Sequence, residues 1–303
     1  MAKKDAVVLD TGEKIESIGP WAIAWRKFKA NKVAMAGLII FILIILSVII
    51  VPMVMGISVS DYDTSIANQA PSAAHLLGTD NQGRDCLYRL FLGGRISIIV
   101  GLLAALLTVV LGCLVGGISG YYGGMTDNLL MRFSEIVYAL PFTPMIIAVA
   151  ATMVWVPQSQ KMYTVALLIG LLSWPGLARL VRGQILTLRE QEFMQACTAL
   201  GLSDFSKIFK HLLPNVISLV IVNATLQMAS AVLTEAGLSF LGMGVMPPTP
   251  SWGNLMNLAR DARIFQYYPW QWMPAGLMCL LTVVSINLVG EGLRDAFDPK
   301  ELQ

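Results

Sequence analysis

The run Arg189-Glu190-Gln191-Glu192-Phe193-Met194-Gln195-Ala196-Cys197-Thr198-Ala199-Leu200-Gly201, continued by Leu202 through Leu213-Pro214-Asn215, is a polar interruption between long hydrophobic stretches. Phe193, Ala196, Cys197 and Leu200 recur at i, i+3, i+4 and i+7, which places them on one face of a helix. Gly201 supplies a C-terminal stop and Ser203 an N-cap for a second helix. In that second helix Phe205, Ile208, Phe209 and Leu212 repeat the spacing, and Pro214 closes it or opens the next one. Two short amphipathic helices in an otherwise lipid-adapted chain are suited to docking on a partner outside the bilayer.

The surrounding composition calls for a membrane. The chain has 303 residues, 56% hydrophobic and only 13% charged, where soluble domains average about 25% charged. A helix needs about 20 apolar residues to cross a hydrocarbon core of about 30 Å. Six segments are candidates: 33–57, 96–118, 136–156, 163–177, 216–236 and 272–290. The fourth is short and contains Trp174-Pro175, while Pro141 and Pro144 in the third predict a kink or a local break. The expected organisation is a polar tail over 1–32, a six-span domain over 33–292 and a short tail over 293–303. The first uncharged run is longer than the roughly 7–15 residues of a signal-peptide core, so it reads as a retained span.

Basic residues set the orientation. With six spans and the N-terminus inside, every Lys and Arg except Arg84, Arg89, Arg95, Lys161, Arg260 and Arg263 falls on the cytoplasmic side. That asymmetry predicts both termini inside. The net charge of +2 is spread along the chain as topology determinants and gives no sign of a nucleic-acid partner. Cys86, Cys113, Cys197 and Cys279 show no paired spacing, and with only His75 and His211 a histidine-rich metal site is excluded. No Gly-Lys-Ser/Thr loop occurs, so no ATP site of the P-loop kind is expected in this chain.

Other motifs lie between the spans. Trp21, Trp25 and Phe28 among Arg26, Lys27 and Lys29 suggest an amphipathic lead-in at the membrane interface. Leu77-Gly78-Thr79-Asp80-Asn81-Gln82-Gly83-Arg84-Asp85 reads as a loop of tight turns fixed by charge-assisted hydrogen bonds, with a structural role favoured over substrate contact. A short helix through Tyr88 and Leu90 is expected to lead from it to Gly93-Gly94-Arg95, and Gly120-Tyr121-Tyr122-Gly123-Gly124 reads as a cytoplasmic turn. In span five Asn223, Gln227, Ser230 and Thr234 form a polar stripe at i, i+4, i+7 and i+11, with Glu235 beside its outer end. Such a stripe turns inward, either to a partner helix or to a water-filled path, and both readings stand. Leu238-Ser239-Phe240-Leu241-Gly242-Met243-Gly244, followed by Pro247-Pro248-Thr249-Pro250-Ser251-Trp252-Gly253, reads as an extended external loop.

These motifs together resemble the permease subunits of ATP-binding-cassette importers. The signature loop of those permeases runs Glu-Ala-Ala, three residues, Gly, nine residues, Ile, one residue, Leu-Pro. Here Gln195, Ala196, Cys197, Gly201, His211, Leu213 and Pro214 occupy its positions, with Gln195, Cys197 and His211 departing in identity while the spacing is kept. The elements at Leu77–Asp85, Leu238–Gly253 and Gly290-Glu291-Gly292-Leu293-Arg294-Asp295 resemble those of the dipeptide, oligopeptide and nickel branch. The resemblance implies an all-α, six-span, type I importer permease with cytoplasmic coupling helices between spans four and five. Within the signature loop Phe205 and Phe209, as aromatic residues, are candidate anchors on the ATPase surface. The resemblance also implies a homologous second permease, two cytoplasmic ATPase subunits that hold ATP and magnesium, and an extracytoplasmic solute-binding protein. No cofactor is expected on this chain itself. Oligopeptides or dipeptides are the leading cargo, with nickel or glutathione as runner-up and an ion-coupled secondary transporter as the rival from another class. The implied location is the plasma membrane of a bacterium or archaeon.

Overall fold

Asn31 turns the chain from a surface helix into its first long span. Its side-chain oxygen accepts hydrogen bonds from the backbone N–H groups of Val33 and Ala34, both at 3.1 Å, and so caps the second helix. The computed structural model describes residues 20–58, 61–152, 155–158 and 160–298. The polar tail up to residue 19 and residues from 299 onward therefore lie outside the described residues. Helix α1 is Pro20–Ala30 and α2 is Lys32–Met55. Phe28 and Ala24 of α1 are buried against Ala34, Val289 and Ala296, while Trp21 and Trp25 are exposed.

The remaining helices are α3 (Cys86–Tyr122), α4 (Gly124–Ala139), α5 (Phe142–Thr152), α6 (Lys161–Leu188), α7 (Glu192–Ala199), α8 (Asp204–Ser206), α9 (Leu213–Asn215), α10 (Ile217–Phe240), α11 (Trp252–Asn257), α12 (Ala262–Tyr267) and α13 (Met273–Phe297). A π-helical turn over Lys207–Leu212 joins α8 to α9. No strand occurs among the described residues. The fold is all-α. Among the described residues five helices (α2, α3, α6, α10 and one that includes α13) are long and apolar enough to cross a membrane, and the bent pair α4 and α5 brings the number to six when counted as one span.

The kink or local break expected of Pro141 and Pro144 in the third span falls between the helices of that pair, the first of which begins at Gly124, ahead of the expected 136. The chain bends by 81° between Ala139 and Phe142, so the helix that begins at Gly124 stops short of the apolar run. Pro141 is the cause: it lacks a backbone N–H and steers Leu140 into an extended conformation, with ψ of 132°. The fourth span extends well past its expected end at 177, because Pro175 is accommodated inside α6. The short helix expected through Tyr88 is the first part of α3, which runs unbroken for 37 residues. Tyr121 and Tyr122 belong to its last turn, and the chain turns only at Gly123.

Small residues bring the spans together. Gly112, Gly116 and Gly120 lie four residues apart on α3 and face Leu177, Ala178, Arg182 and Ile185 of α6. A Cβ on Gly116 would run into the carbonyl oxygen of Ala178, so the two backbones approach as closely as small-residue helix contacts in lipid allow. In contrast, α2 leaves Ile39, Ile42, Leu43, Leu46, Ile50 and Met53 exposed, an apolar face that only lipid or another membrane helix can cover.

The loop before α3 is a built structure. Asp80 is buried and accepts from the backbone N–H groups of Gln82 at 2.8 Å and Arg84 at 3.0 Å, and from Arg84 Nε at 2.7 Å. Asp85 caps α3 through the N–H of Tyr88 at 2.9 Å, with His75 Nδ1 2.9 Å from its other oxygen. The Thr79 carbonyl takes hydrogen bonds from Gln271 Nε2 and Trp270 Nε1, at 3.1 and 3.3 Å, which ties this loop to the start of the last span. Every one of these contacts is internal.

Candidate functional site

The element between α6 and α10 is seated on the ends of α3 and α6. Arg189, just past α6, donates from Nη1 to the carbonyls of Gly120 and Tyr121 at 3.2 and 3.3 Å and from Nε to Glu190 at 2.9 Å. Helix α7 then turns Met194 and Cys197 inward, and Met194 joins Ile185, Leu212, Val216 and Val220 in one buried cluster. The face shared by Phe193, Ala196, Cys197 and Leu200 in the sequence is divided between the bundle and solvent. Phe193 is half-buried and Cys197 buried, but Ala196 and Leu200 are exposed, Leu200 by 78%. Met194 takes the inward place because its flexible side chain fills the gap beside Leu212. Gln195, Thr198 and Ala199 also face outward.

Gly201 ends α7 in the left-handed region at φ +68°. Its N–H donates to the Thr198 carbonyl at 3.0 Å and the N–H of Leu202 donates to Cys197 at 3.1 Å, the paired bonds of a Schellman cap. Ser203 then caps α8 by accepting from the N–H of Ser206 at 3.3 Å. In the following segment Ile208 and Leu212 are buried, whereas Phe209 is half-buried and Phe205 is 67% exposed, its ring tilted by 34° against that of Phe209 with centroids 4.5 Å apart. Of the four residues that the spacing sets on one face, Ile208 and Leu212 thus pack inward while Phe205 points to solvent. His211 and Leu213 are half-buried and Pro214 is exposed.

Asp204 fixes this second segment to α3. The Tyr121 hydroxyl donates to it at 2.6 Å and the Tyr122 hydroxyl at 3.4 Å, while Lys207 Nζ lies 3.6 Å away. The Tyr121 hydroxyl above all, aided by Lys207, holds the Asp204 carboxyl below the usual carboxylate range against some desolvation. Beside these contacts an open cleft of about 670 Å³ is lined by Tyr121, Tyr122, Arg189, Met194, Gln195 and Asp204.

The polar stripe of α10 divides between different surroundings. Gln227 and Ser230 line an open groove of about 570 Å³ with Tyr138, Leu140, Phe142 and Ser173, at the break between α4 and α5. Asn223 lines a separate cleft with Gln184, Asn215 and Arg294, and its Nδ2 donates to the Leu219 carbonyl at 3.1 Å. Thr234 donates back to the Ser230 carbonyl at 2.8 Å.

Glu235 is the clear correction to the pathway reading. It is fully buried, and its two carboxylate oxygens accept from Ser97 and Ser239 hydroxyls, both at 2.6 Å. At about 100° per residue it sits roughly 140° around the helix from Ser230. It therefore faces α3, away from the groove. The same serines accept backbone N–H groups, Ser97 from Trp252 at 3.2 Å and Ser239 from Val245 at 2.9 Å, so the carboxylate anchors the loop after α10 onto the bundle. Trp252 is fully buried there and donates from Nε1 to the Leu90 carbonyl at 3.1 Å.

Residues 108–303 match the family described as the binding-protein-dependent transport system inner membrane component. The chain belongs to this family. Residues 19–71 match the N-terminal transmembrane domain of oligopeptide transport permease C. The chain is 41% identical over 291 residues to the oligopeptide transport system permease protein OppC of Bacillus subtilis, covering 95% of this chain and 93% of the relative. It is 40% identical over 291 residues to OppC of Haemophilus influenzae, covering 95% and 91%. It is 37% identical over 289 residues to the dipeptide transport system permease protein DppC of Alkalihalophilus pseudofirmus, covering 95% and 92%.

In this inner-membrane permease the loop is held in place by residues whose pairing the sequence does not signal. Tyr121, Arg189 and Asp204 lie far apart in the chain and carry no joint signature. The Gly112, Gly116, Gly120 spacing on α3 was legible in principle, as a small residue at every fourth position. Among the described residues no group of three His, Cys, Asp or Glu is placed to hold a metal.

Proposed function

We propose that this permease forms half of the translocation path of an ATP-driven importer whose cargo is an oligopeptide or dipeptide. A homologous second permease completes the path. Two cytoplasmic ATPase subunits, which hold the ATP and magnesium, drive it, and an extracytoplasmic solute-binding protein delivers the cargo. The observation that carries this reading is the element Gln195–Pro214. It is bound at both ends to the spans, rigidly capped at Gly201, and it presents Leu200 and Phe205 to solvent beside an open cleft. Exposed aromatic anchors on a stiff support are what a force-transmitting contact with an ATPase requires.

Both termini and this element are on the cytoplasmic side in this proposal, as the distribution of basic residues suggests. The peptide assignment draws on the names of the relatives and on a groove lined by amide, hydroxyl and apolar groups without a fixed charge. A nickel or glutathione importer of the same family is the alternative. An ion-coupled secondary transporter is less favoured, since Glu235 is committed to Ser97 and Ser239. The test is uptake by the complete complex in liposomes. Peptide accumulation that needs both ATP and the binding protein is expected, and accumulation driven by an ion gradient without ATP would refute the reading.

A further inference from the structure

The groove beside Gln227 and Ser230 is uncharged, and further along the same two helices, α4 and α6, lies a charged mouth of about 330 Å³ lined by Asp127, Arg132, Glu135, Arg179 and Arg182. Most of that charge is internally matched. Arg182 reaches Asp127 through Nε at 2.6 Å and Nη2 at 2.5 Å, and Arg132 reaches Glu135 at 2.9 Å. Arg179 is the remaining cation, and it forms no ion pair among the described residues.

Arg179 is nevertheless held in place. Its guanidinium carbon lies 3.9 Å from the ring centroid of Tyr138, a residue that also lines the groove. Stacking of this kind engages the flat face of the guanidinium and leaves the N–H edge free to meet a planar anion with two parallel hydrogen bonds. The cation is thus oriented and desolvated on one face, and it stands one helical turn beyond Gly176 of the groove.

We propose that Arg179, held on Tyr138, is a receiving site for the C-terminal carboxylate of the transported peptide as it leaves the uncharged groove. This rests on the peptide-import reading and adds to it a specificity-determining residue. In the groove the carboxylate meets only neutral groups. At the mouth it meets one fixed cation whose hydrogen-bond geometry matches it. The site is exposed, so the pair is weak, and weak binding suits a station that must release its cargo to water.

The test uses the complete transporter in liposomes, with both permeases, both ATPases and the binding protein. The binding protein is loaded with trialanine or with its C-terminal amide, and co-purification of all subunits confirms the assembly of each variant. Arg179→Gln should lower uptake of the free acid by about threefold, the scale of an exposed charge pair, and should not lower uptake of the amide. Arg179→Lys should fall between Arg and Gln, and Arg179→Glu should be the slowest on the free acid. Equal losses for acid and amide, or no loss for either, would overturn the assignment. If the amide does not load the binding protein, the order Arg, Lys, Gln, Glu on the acid alone decides, and equal rates across that series overturn it. A wild-type complex that imports neither peptide refutes the peptide reading itself and takes the carboxylate site with it, which is distinct from equal rates among active variants.

Discussion

The Tyr121 hydroxyl donates to Asp204 Oδ1 at 2.6 Å, tying the last turn of α3 to the first turn of α8 across 83 residues of chain. With Arg189 bound to the carbonyls of Gly120 and Tyr121, this makes the loop and the end of α3 one body. In the proposed coupling, motion imposed on the loop would then reach the spans without being lost in slack. Because the acceptor is ionised, the bond is of the stronger, charge-assisted kind. Tyr121→Phe should keep the complex assembled yet lower peptide uptake per ATP hydrolysed by roughly a factor of two to five. Asp204→Asn, which keeps an acceptor but removes its charge, should fall in between. Unaltered uptake per ATP in Tyr121→Phe would show that the loop is held by other contacts.

Gly201 carries a backbone requirement with no steric one. At φ +68° a side chain is strained, but a Cβ there would meet nothing within 4 Å. A β-branched residue should therefore cost about 1–2 kcal/mol and act by undoing the cap that aims α8. Gly201→Val is expected to reach the membrane and lose substrate-stimulated ATPase activity. Gly201→Asn, which tolerates the left-handed region, should retain most of it. The comparison separates conformation from bulk, because both residues have the same open space to fill. Equal activity of the two variants would remove the cap from the coupling mechanism.

Glu235 joins α3, α10 and the loop after α10 through two serines. Removing the carboxylate leaves the Ser97 and Ser239 hydroxyls without their acceptor in a closed interior. Glu235→Ala should then cost about 2–5 kcal/mol from the lost bonds and the cavity together. The thermal midpoint of the purified complex should fall, and a cysteine placed at exposed Pro248 should become more reactive as the loop loosens. Glu235→Gln keeps an acceptor for one serine and should show a smaller change in both measurements. A variant Glu235→Ala that melts like wild type but fails to transport would restore a direct role in the path.

Much of this architecture could be read from residue type and spacing, because membrane helices announce themselves by uncharged length. The Gly201 cap was legible for a similar reason: a glycine followed by a serine between two apolar periodicities specifies a stop and a start. What spacing did not convey was register. The π turn over Lys207–Leu212 departs from the 3.6-residue spacing, and nothing in the run Phe205, Ile208, Phe209, Leu212 signals an extra residue per turn. Glu235 was misread as a neighbour of the polar stripe because adjacency along the chain counted for more than its angle around the helix. Its true partner Ser97 lies 138 residues away, a distance across which a single sequence carries no pairing information. The break at Leu140 was foreshadowed by Pro141, but where the span would stop depended on packing against α6.

The transport path itself makes the last prediction. Gln227 and Ser230 face an open groove whose other walls come from the α4–α5 break and from Ser173 on α6, while α2 contributes nothing to it. If cargo passes through this groove, filling it should block passage whatever the chemistry of the filler. Ser230→Trp introduces a large rigid ring at an exposed position of α10, where it has room to be accommodated without disrupting the core. Peptide uptake should drop by about tenfold or more, while the complex still assembles and still binds its ATPases. Leu43→Trp, on the exposed apolar face of α2, should leave uptake within about twofold of wild type, the small effect usual for surface changes. Asn223→Leu tests the division of the stripe, since Asn223 lines a different cleft with Arg294 and should affect uptake less than Gln227→Leu. Equal tolerance of Ser230→Trp and Leu43→Trp would move the path away from this face of α10, and a larger effect at Asn223 than at Gln227 would move it to the cleft beside Arg294.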